Sequence, residues 1–353
     1  MPFLMIRNDI TKVQADAIVN PANEGLLEGS GTSRAVFLAA GEKKLIQACA
    51  RIGHCDVGRA VLTEAFALPA RYIIHAVGPC WQGGGRQEAE YLYSAYMESL
   101  KLALEKGLKS IAFPLLSAGS YGYPKEEAFK VAASAISDFL WEHDMLVYLV
   151  LYDRKSLAVS QKLSASVKEY IDDHYVETKN EEFEGGNQAR RFRGTSSAQM
   201  STCFPGSAAA KEIPIKTGEK VFLKKKKRIF GRSLNNLMEH MEESFSQMLL
   251  RLIDERGMKD SEVYKKANID RRHFSKIRKD IYYAPNKKTV MAFAIALELS
   301  LDESKDLLMR AGYAFSGASK SDVIISYFIE HERYDIYEIN EMLFAYEQPL
   351  LGG

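Results

Sequence analysis

The sequence predicts an α/β fold over its first half, an irregular stretch after it, and an all-α region to the end. Three observations support this. Short apolar runs alternate with amphipathic stretches through residue 176, the pattern of a sheet covered by helices on both faces. From Glu177 to about Lys220 the periodicity vanishes into Glu/Gly, Arg-rich and Ser/Ala/Gly segments. It resumes near Leu234 at helical spacing and continues almost to the last residue. The organisation expected is 1–176, 177–233 and 234–353.

The elements follow in order. Strands are expected at Phe3 to Arg7, Ala17 to Val19, Ala60 to Thr63, Tyr72 to Ala76, Ser110 to Phe113 and Leu146 to Tyr152, each a short run of apolar or β-branched residues. Helices are expected between them at Thr32 to Ala40, Glu42 to Arg51, Gln87 to Lys106, Pro124 to Glu142 and Lys155 to Tyr175. The stretch 177–233 lacks the apolar content to order itself and reads as a disordered linker. As a flexible chain of some 50 residues it would span roughly 40 Å. It carries the basic run Lys224 to Arg228, read as a solvated linker end or as a contact for nucleic acid or an acidic partner. Beyond it, helices are expected at Phe245 to Arg256, Ser261 to Ala267, Arg271 to Lys279, Lys288 to Leu299, Leu301 to Ala311, Ser321 to His331 and Tyr337 to Tyr346.

Composition sets the outer limits. With 353 residues, 46% hydrophobic and 26% charged, the chain can bury a full core and divides naturally into two domains. A net charge of +1 excludes neither acidic nor neutral partners, because it averages over local asymmetry. Cys49, Cys55, Cys80 and Cys203 lack the paired spacing of a zinc site, and no secretory segment or membrane-length apolar run is present. A reduced, cytoplasmic setting is therefore expected, without metal or cofactor. His54 and His75 lie near these cysteines in sequence and read as structural histidines beside buried thiols.

The most informative stretch is Ala17 to Phe37, AIVNPANEGLLEGSGTSRAVF. A strand runs through an Asn-Pro-Ala-Asn turn into Gly29-Ser30-Gly31 and then into a helix, which sets free backbone N–H groups at a helix start. A second small-residue loop, Ser117-Ala118-Gly119-Ser120-Tyr121-Gly122, follows the strand Ser110 to Phe113, and Pro124 opens the next helix. Two such loops beyond strand ends can hold two linked phosphates.

These segments resemble the macrodomains, which bind ADP-ribose. The resemblance is carried by Asn8-Asp9-Ile10-Thr11, Asp16 to Asn23, Ile74-His75-Ala76-Val77-Gly78-Pro79, Ser117 to Pro124 and Leu151 to Ser156, in family order over about half the chain. It implies a three-layer α/β/α fold with a mixed sheet. It also implies that Asp9, with Ile10 beside it, accepts from the adenine amine, where the alternative role is a turn cap. Tyr152 would stack on the adenine, the alternative being core packing. Gly29, Ser30 and Gly31 would hold the diphosphate together with Ser117, Ala118, Gly119, Ser120 and Tyr121.

Hydrolysing members use the last Asn of the turn, here Asn23, with an Asp about ten residues on, where this chain has Ser33. Serine positions water but is no general base near neutral pH. The chain is therefore read as an ADP-ribose binder. The alternatives are an ADP-ribosyl-protein hydrolase or O-acetyl-ADP-ribose deacetylase with Asn23 and Ser33 at its centre, and a regulator or defence component sensing an NAD-derived signal.

The segment Val263 to Arg278 reads as a helix, a tight turn at Asn268 and a second helix, with Val263, Ala267, Ile269, Phe274 and Ile277 inward. From Ser244 to Gly312 it resembles the lambda-repressor-like (XRE-type) helix-turn-helix family. Nine Lys or Arg against two acids between Lys265 and Lys288 suit a DNA backbone, with Arg271, Arg272, Lys276 and Arg278 as the contacts. Asp260 at the head of the first motif helix opposes that reading, so a protein partner is the alternative.

Overall fold

The structure is a computed structural model, and it describes residues 2–152, 166–168, 170 and 243–352. Most of the helix expected over Lys155 to Tyr175, the linker of 177–233 and the basic run Lys224 to Arg228 lie outside the described residues. Residues 1–175 and 244–353 form one compact unit.

Six strands make one sheet: β1 (Phe3–Arg7), β2 (Ala17–Ala22), β3 (Ala60–Glu64), β4 (Tyr72–Val77), β5 (Ser110–Pro114) and β6 (Leu146–Leu151). Their order across the sheet is β1-β6-β5-β2-β4-β3. All neighbours pair parallel except β3, which pairs antiparallel with β4. The sheet is therefore mixed, with its antiparallel strand at one edge.

Alternation along each strand sorts side chains to two faces. Val19, Ile74, Ile111, Phe113, Val147 and Leu149 share one core with α3 (Glu88–Glu105) and α4 (Lys125–Glu142). Ile18, Ile73, Ala112 and Val150 share the other with α1 (Thr32–Ala40) and α2 (Glu42–Ile52). The result is three layers, α/β/α.

Seven helices follow among the described residues: α5 (Phe245–Glu255), α6 (Asp260–Lys266), α7 (Arg271–Lys279), α8 (Lys287–Ala296), α9 (Leu301–Arg310), α10 (Lys320–Glu330) and α11 (Ile336–Ala345). Their starts are written locally. Ser244 and Ser300 form capping boxes with Gln247 and Glu303, and Asp270, Asn286, Ser319 and Asp335 cap through their side chains. Val263, Ala267, Ile269, Phe274 and Ile277 are all buried in one core, and Asn268 takes the left-handed conformation at φ 53°. No helix among the described residues is long and apolar enough to cross a membrane.

The helical region is fastened to the open edge of the sheet. An edge strand leaves a row of N–H and C=O groups unpaired. At β1 the Asn268 side chain supplies the partner: Phe3 N donates to Asn268 Oδ1 and Asn268 Nδ2 donates to Phe3 O, both at 2.8 Å and both buried. Tyr337 of α11 packs on the Phe3 ring at 5.4 Å, while at the far end of β1 Arg7 pairs with Glu347 at 3.2 Å and lies over Phe344.

Replacing Asn268 by glycine keeps the left-handed turn but strips both edge bonds, leaving two backbone groups without partners. Asn268→Gly is expected to lower stability by about 2 to 4 kcal/mol, read as a reduced urea midpoint of the full chain. An unchanged midpoint would show that the edge bonds carry no net stability.

Candidate functional site

The parallel strands β1, β6, β5 and β2 end on the same side of the sheet, and the loops leaving them border two joined hollows of about 230 and 500 Å³. Gly31, Thr32, Pro114, Leu115 and Gly119 border both, so the two form one groove. Its size is that of a small-ligand site.

The loop after β2 is shaped from within. Asn23 brackets it: Leu27 N donates to Asn23 Oδ1 and Asn23 Nδ2 donates to Leu27 O, each at 2.9 Å. Ser33, only 2% exposed, accepts from Gly29 N at 3.2 Å. Gly31 sits at φ 59°, ψ −122°, which a side chain would oppose, and it begins α1 with no side-chain cap. The first N–H groups of α1 are thus left for an outside acceptor.

Tyr96 holds the loop after β5. From the inner face of α3 its hydroxyl accepts from Leu116 N at 3.0 Å and donates to Pro114 O at 3.3 Å. Burial pushes that phenol upward, so it stays neutral. Tyr123 N bonds Ser117 O, Gly122 N bonds Gly119 O, and Trp81 N bonds Tyr121 O. Among the described residues none accepts from the N–H groups of Ala118, Gly119, Ser120 or Tyr121.

Ser117 sits at φ 61°, a strained conformation for serine. Its buried Oγ has no hydrogen-bond partner. Gly78 makes room for it, since a Cβ there would lie 2.2 Å from Ser117 Oγ. Beside this strained serine, the four N–H groups without an acceptor among the described residues are donors that an anion can satisfy.

The larger hollow is bordered by Asn8, Asp9, Ile10, Leu151 and Tyr152. Asp9 caps the short 3-10 turn Ile10–Lys12: its Oδ1 accepts from Thr11 N at 3.0 Å and from Thr11 Oγ1 at 2.7 Å. The cap role is therefore filled by one oxygen, and Oδ2 has no bond to the described residues. Ile10 is buried beneath it, whereas Tyr152 is 76% exposed and takes no part in core packing.

Asp9, Ile10, Asn23, Gly29 to Gly31, Ser33, Ser117, Gly119 to Tyr121 and Tyr152, all expected from the sequence, lie around one groove, with Ala118 at the larger hollow. Sequence reasoning missed Gly78, legible as a glycine directly after a strand end. It also missed Tyr96, because a tyrosine on an amphipathic helix carries no sign that it will hold a loop.

The chain belongs to the macro domain family. A profile of that family, described as Macro domain, matches residues 19–132. The chain is 44% identical over 165 residues to an O-acetyl-ADP-ribose deacetylase of Citrobacter rodentium, covering 45% of this chain and 93% of that protein. It is 42% identical over 165 residues to a macro domain-containing protein of Methanosarcina mazei, covering 46% and 88%. Among solved structures, the Oceanobacillus iheyensis macrodomain with ADP is 39% identical, covering 43% of this chain and 84% of that one, at a TM-score of 0.42.

Within this macro domain His75 is a structural group. It is fully buried on β4, with Nδ1 3.1 Å from Asn20 Nδ2 and Nε2 2.9 Å from Thr63 Oγ1. Burial lowers its pKa to about 4 and raises that of Cys49, whose Sγ is 3.8 Å from Nε2, to about 11. Both are neutral near pH 7. Since the Asn20 amide donates, Nδ1 accepts and Nε2 carries the hydrogen toward Thr63. His54, by contrast, is exposed and paired with Asp56 at 2.9 Å.

On the helical region Arg271, Arg272 and Lys276 are exposed and border a hollow with Lys279, Lys109, Asp144 and Asp270. Arg278 is paired with Asp260. The acid expected to repel a duplex thus neutralises one of the four cations expected to contact it.

His75 gives a pH dependence with a definite sign. Its folded pKa, about 4, lies below the ordinary 6.5, so between these values the unfolded chain binds a proton that the folded chain refuses. Stability contributed by neutral His75 is complete above about pH 6.5 and lost as pH falls toward 4, about 3 kcal/mol in all. Melting temperatures over that range should fall more steeply for the wild type than for His75→Gln.

Proposed function

We propose that the groove binds ADP-ribose or a derivative substituted on the distal ribose. The supporting observation is the convergence, in a member of the macro domain family, of two N–H-rich loops on one groove. A diphosphate has the acceptors these donors lack. On this reading Asp9 Oδ2 takes the adenine amine, Tyr152 lends its exposed face to the base, and the diphosphate lies between Gly29 to Gly31 and Ser117 to Tyr121.

Binding precedes turnover on this reading. Several relatives are named O-acetyl-ADP-ribose deacetylases, which makes hydrolysis at the distal ribose the second reading, with Asn23 and Ser33 as the groups concerned. Against efficient turnover stand the absence of a carboxylate at position 33 and the commitment of both side chains to loop bonds.

The test is calorimetry of the full chain with ADP-ribose. Asp9→Ala removes a charge-assisted bond of about 1.5 to 3 kcal/mol, roughly a 10- to 150-fold weakening. Unchanged affinity would sink the adenine assignment. Rapid turnover of O-acetyl-ADP-ribose by the same preparation would favour the enzyme.

We further propose that the helical region presents α7 to duplex DNA as a helix-turn-helix. This rests on the exposed Arg271, Arg272 and Lys276 beside Lys279 and Lys109. With Arg278 occupied by Asp260, the triple variant Arg271→Gln/Arg272→Gln/Lys276→Gln should reduce the slope of log affinity against log salt by roughly 0.9 per lost contact. A wild-type chain that shifts no pooled duplex at low salt would turn this surface over to a protein partner.

A further inference from the structure

Beside the Asn23 loop the chain brings together three metal-ligating side chains that the groove does not use. Glu24, His54 and Asp56 each offer one ligand atom, and those atoms all lie within 4.8 Å of one another. His54 Nε2 and Asp56 Oδ1 are 2.9 Å apart.

Two loops are held together to do this. Cys55 N donates to Glu24 O at 2.9 Å, which fixes the 53–58 loop against residue 24. Gly53 ends α2 at φ 84°, Arg59 N closes the loop on Asp56 O at 3.0 Å, and Cys55 is buried beneath.

Among the described residues neither carboxylate has a Lys or Arg partner, and the nearby Arg59 is taken by Glu98 at 2.9 Å. Two carboxylates converging on one imidazole repel each other, and a cation between them removes the repulsion.

We propose that Glu24, His54 and Asp56 form a binding site for a first-row divalent transition-metal ion such as Zn²⁺ or Mn²⁺. One imidazole and two carboxylates suit such ions, whereas Ca²⁺ and Mg²⁺ favour all-oxygen sets. Ligand atoms at about 2.0 to 2.2 Å from zinc stand at most about 4.4 Å apart, so a small rotation of exposed side chains closes the site. The remaining coordination positions stay open. An ion here would tie residue 24 to the 53–58 loop and set positive charge at the Asn23 end of the groove. That consequence rests on the groove reading above, whereas ion binding itself does not.

The test uses the full chain without a polyhistidine tag, stripped by chelator and titrated calorimetrically with ZnCl₂ and, separately, MnCl₂. A single equivalent is expected to bind, weakened about tenfold or more by His54→Ala and by Glu24→Gln. The His54 side chain is 61% exposed and Glu24 is exposed, so these variants should melt like the wild type. The double variant Cys80→Ser/Cys203→Ser should bind as the wild type does. No binding of either ion, binding unchanged in His54→Ala and Glu24→Gln, or binding lost with the two cysteines would each overturn the assignment.

Discussion

Parallel pairing is the constraint from which the groove follows. Because β1, β6, β5 and β2 run in one direction, their carboxyl ends, and the loops that leave them, fall on one side of the sheet. A helix start and a tight loop placed there leave N–H groups that no strand can pair. The remaining sequence then serves to fix those donors. Tyr96 holds the β5 loop from below, Gly78 yields space to Ser117, and Asn23 and Ser33 shape the loop after β2. The strain at Ser117 persists because its neighbours over-determine it.

The same topology leaves β1 as an open parallel edge, and the helical region answers that need. Asn268 presents an amide with the donor and acceptor that Phe3 requires, and it can do so because Asn tolerates the left-handed turn between α6 and α7. Gly352 closes over the same turn, where a Cβ would lie 2.6 Å from Asn268 O. At the other end of β1, Arg7 is one residue from Asn8 at the groove and is held by Glu347 and Phe344. One strand therefore touches both the groove end of the macro domain and the helical region.

Local chemistry explains what was legible in the sequence. Helix starts expected from the sequence agree to within one residue where a Ser, Asn or Asp cap precedes them, as at Ser244, Asn286 and Ser300, whereas the helix after Asn286 ends at Ala296, three residues before the expected Leu299. Strand β2 was read as ending at Val19 but continues to Ala22, because its register with β4 carries Pro21 opposite Ala76 and long-range pairing overrides proline's usual signal. The two small-residue loops at the groove are legible as glycine and serine after strand ends. The contacts made only on folding are not legible: Tyr96 to Leu116 beneath the loop after β5, Asn268 to Phe3 at the sheet edge, and Asp260 to Arg278 within the helical region. The His-x-Asp pair at 54 and 56 gains meaning only when Glu24 arrives from another loop.

The balance between holding a ligand and transforming it turns on how the Asn23 loop uses its polar atoms. Both amide atoms of Asn23 are committed to Leu27, and Ser33 Oγ accepts from Gly29 while almost fully buried. These side chains stabilise the loop that borders the groove, so their first contribution is to a preformed surface. A water molecule activated here would need a base, and serine near neutral pH supplies none. A general base is worth roughly 10²- to 10⁴-fold in rate, so a site without one at this position keeps its donors, its shape and its affinity while chemistry slows. Whatever the groove holds, Asn23 and Ser33 are already engaged in shaping its rim, and the helical region is bonded along the strand that ends beside it.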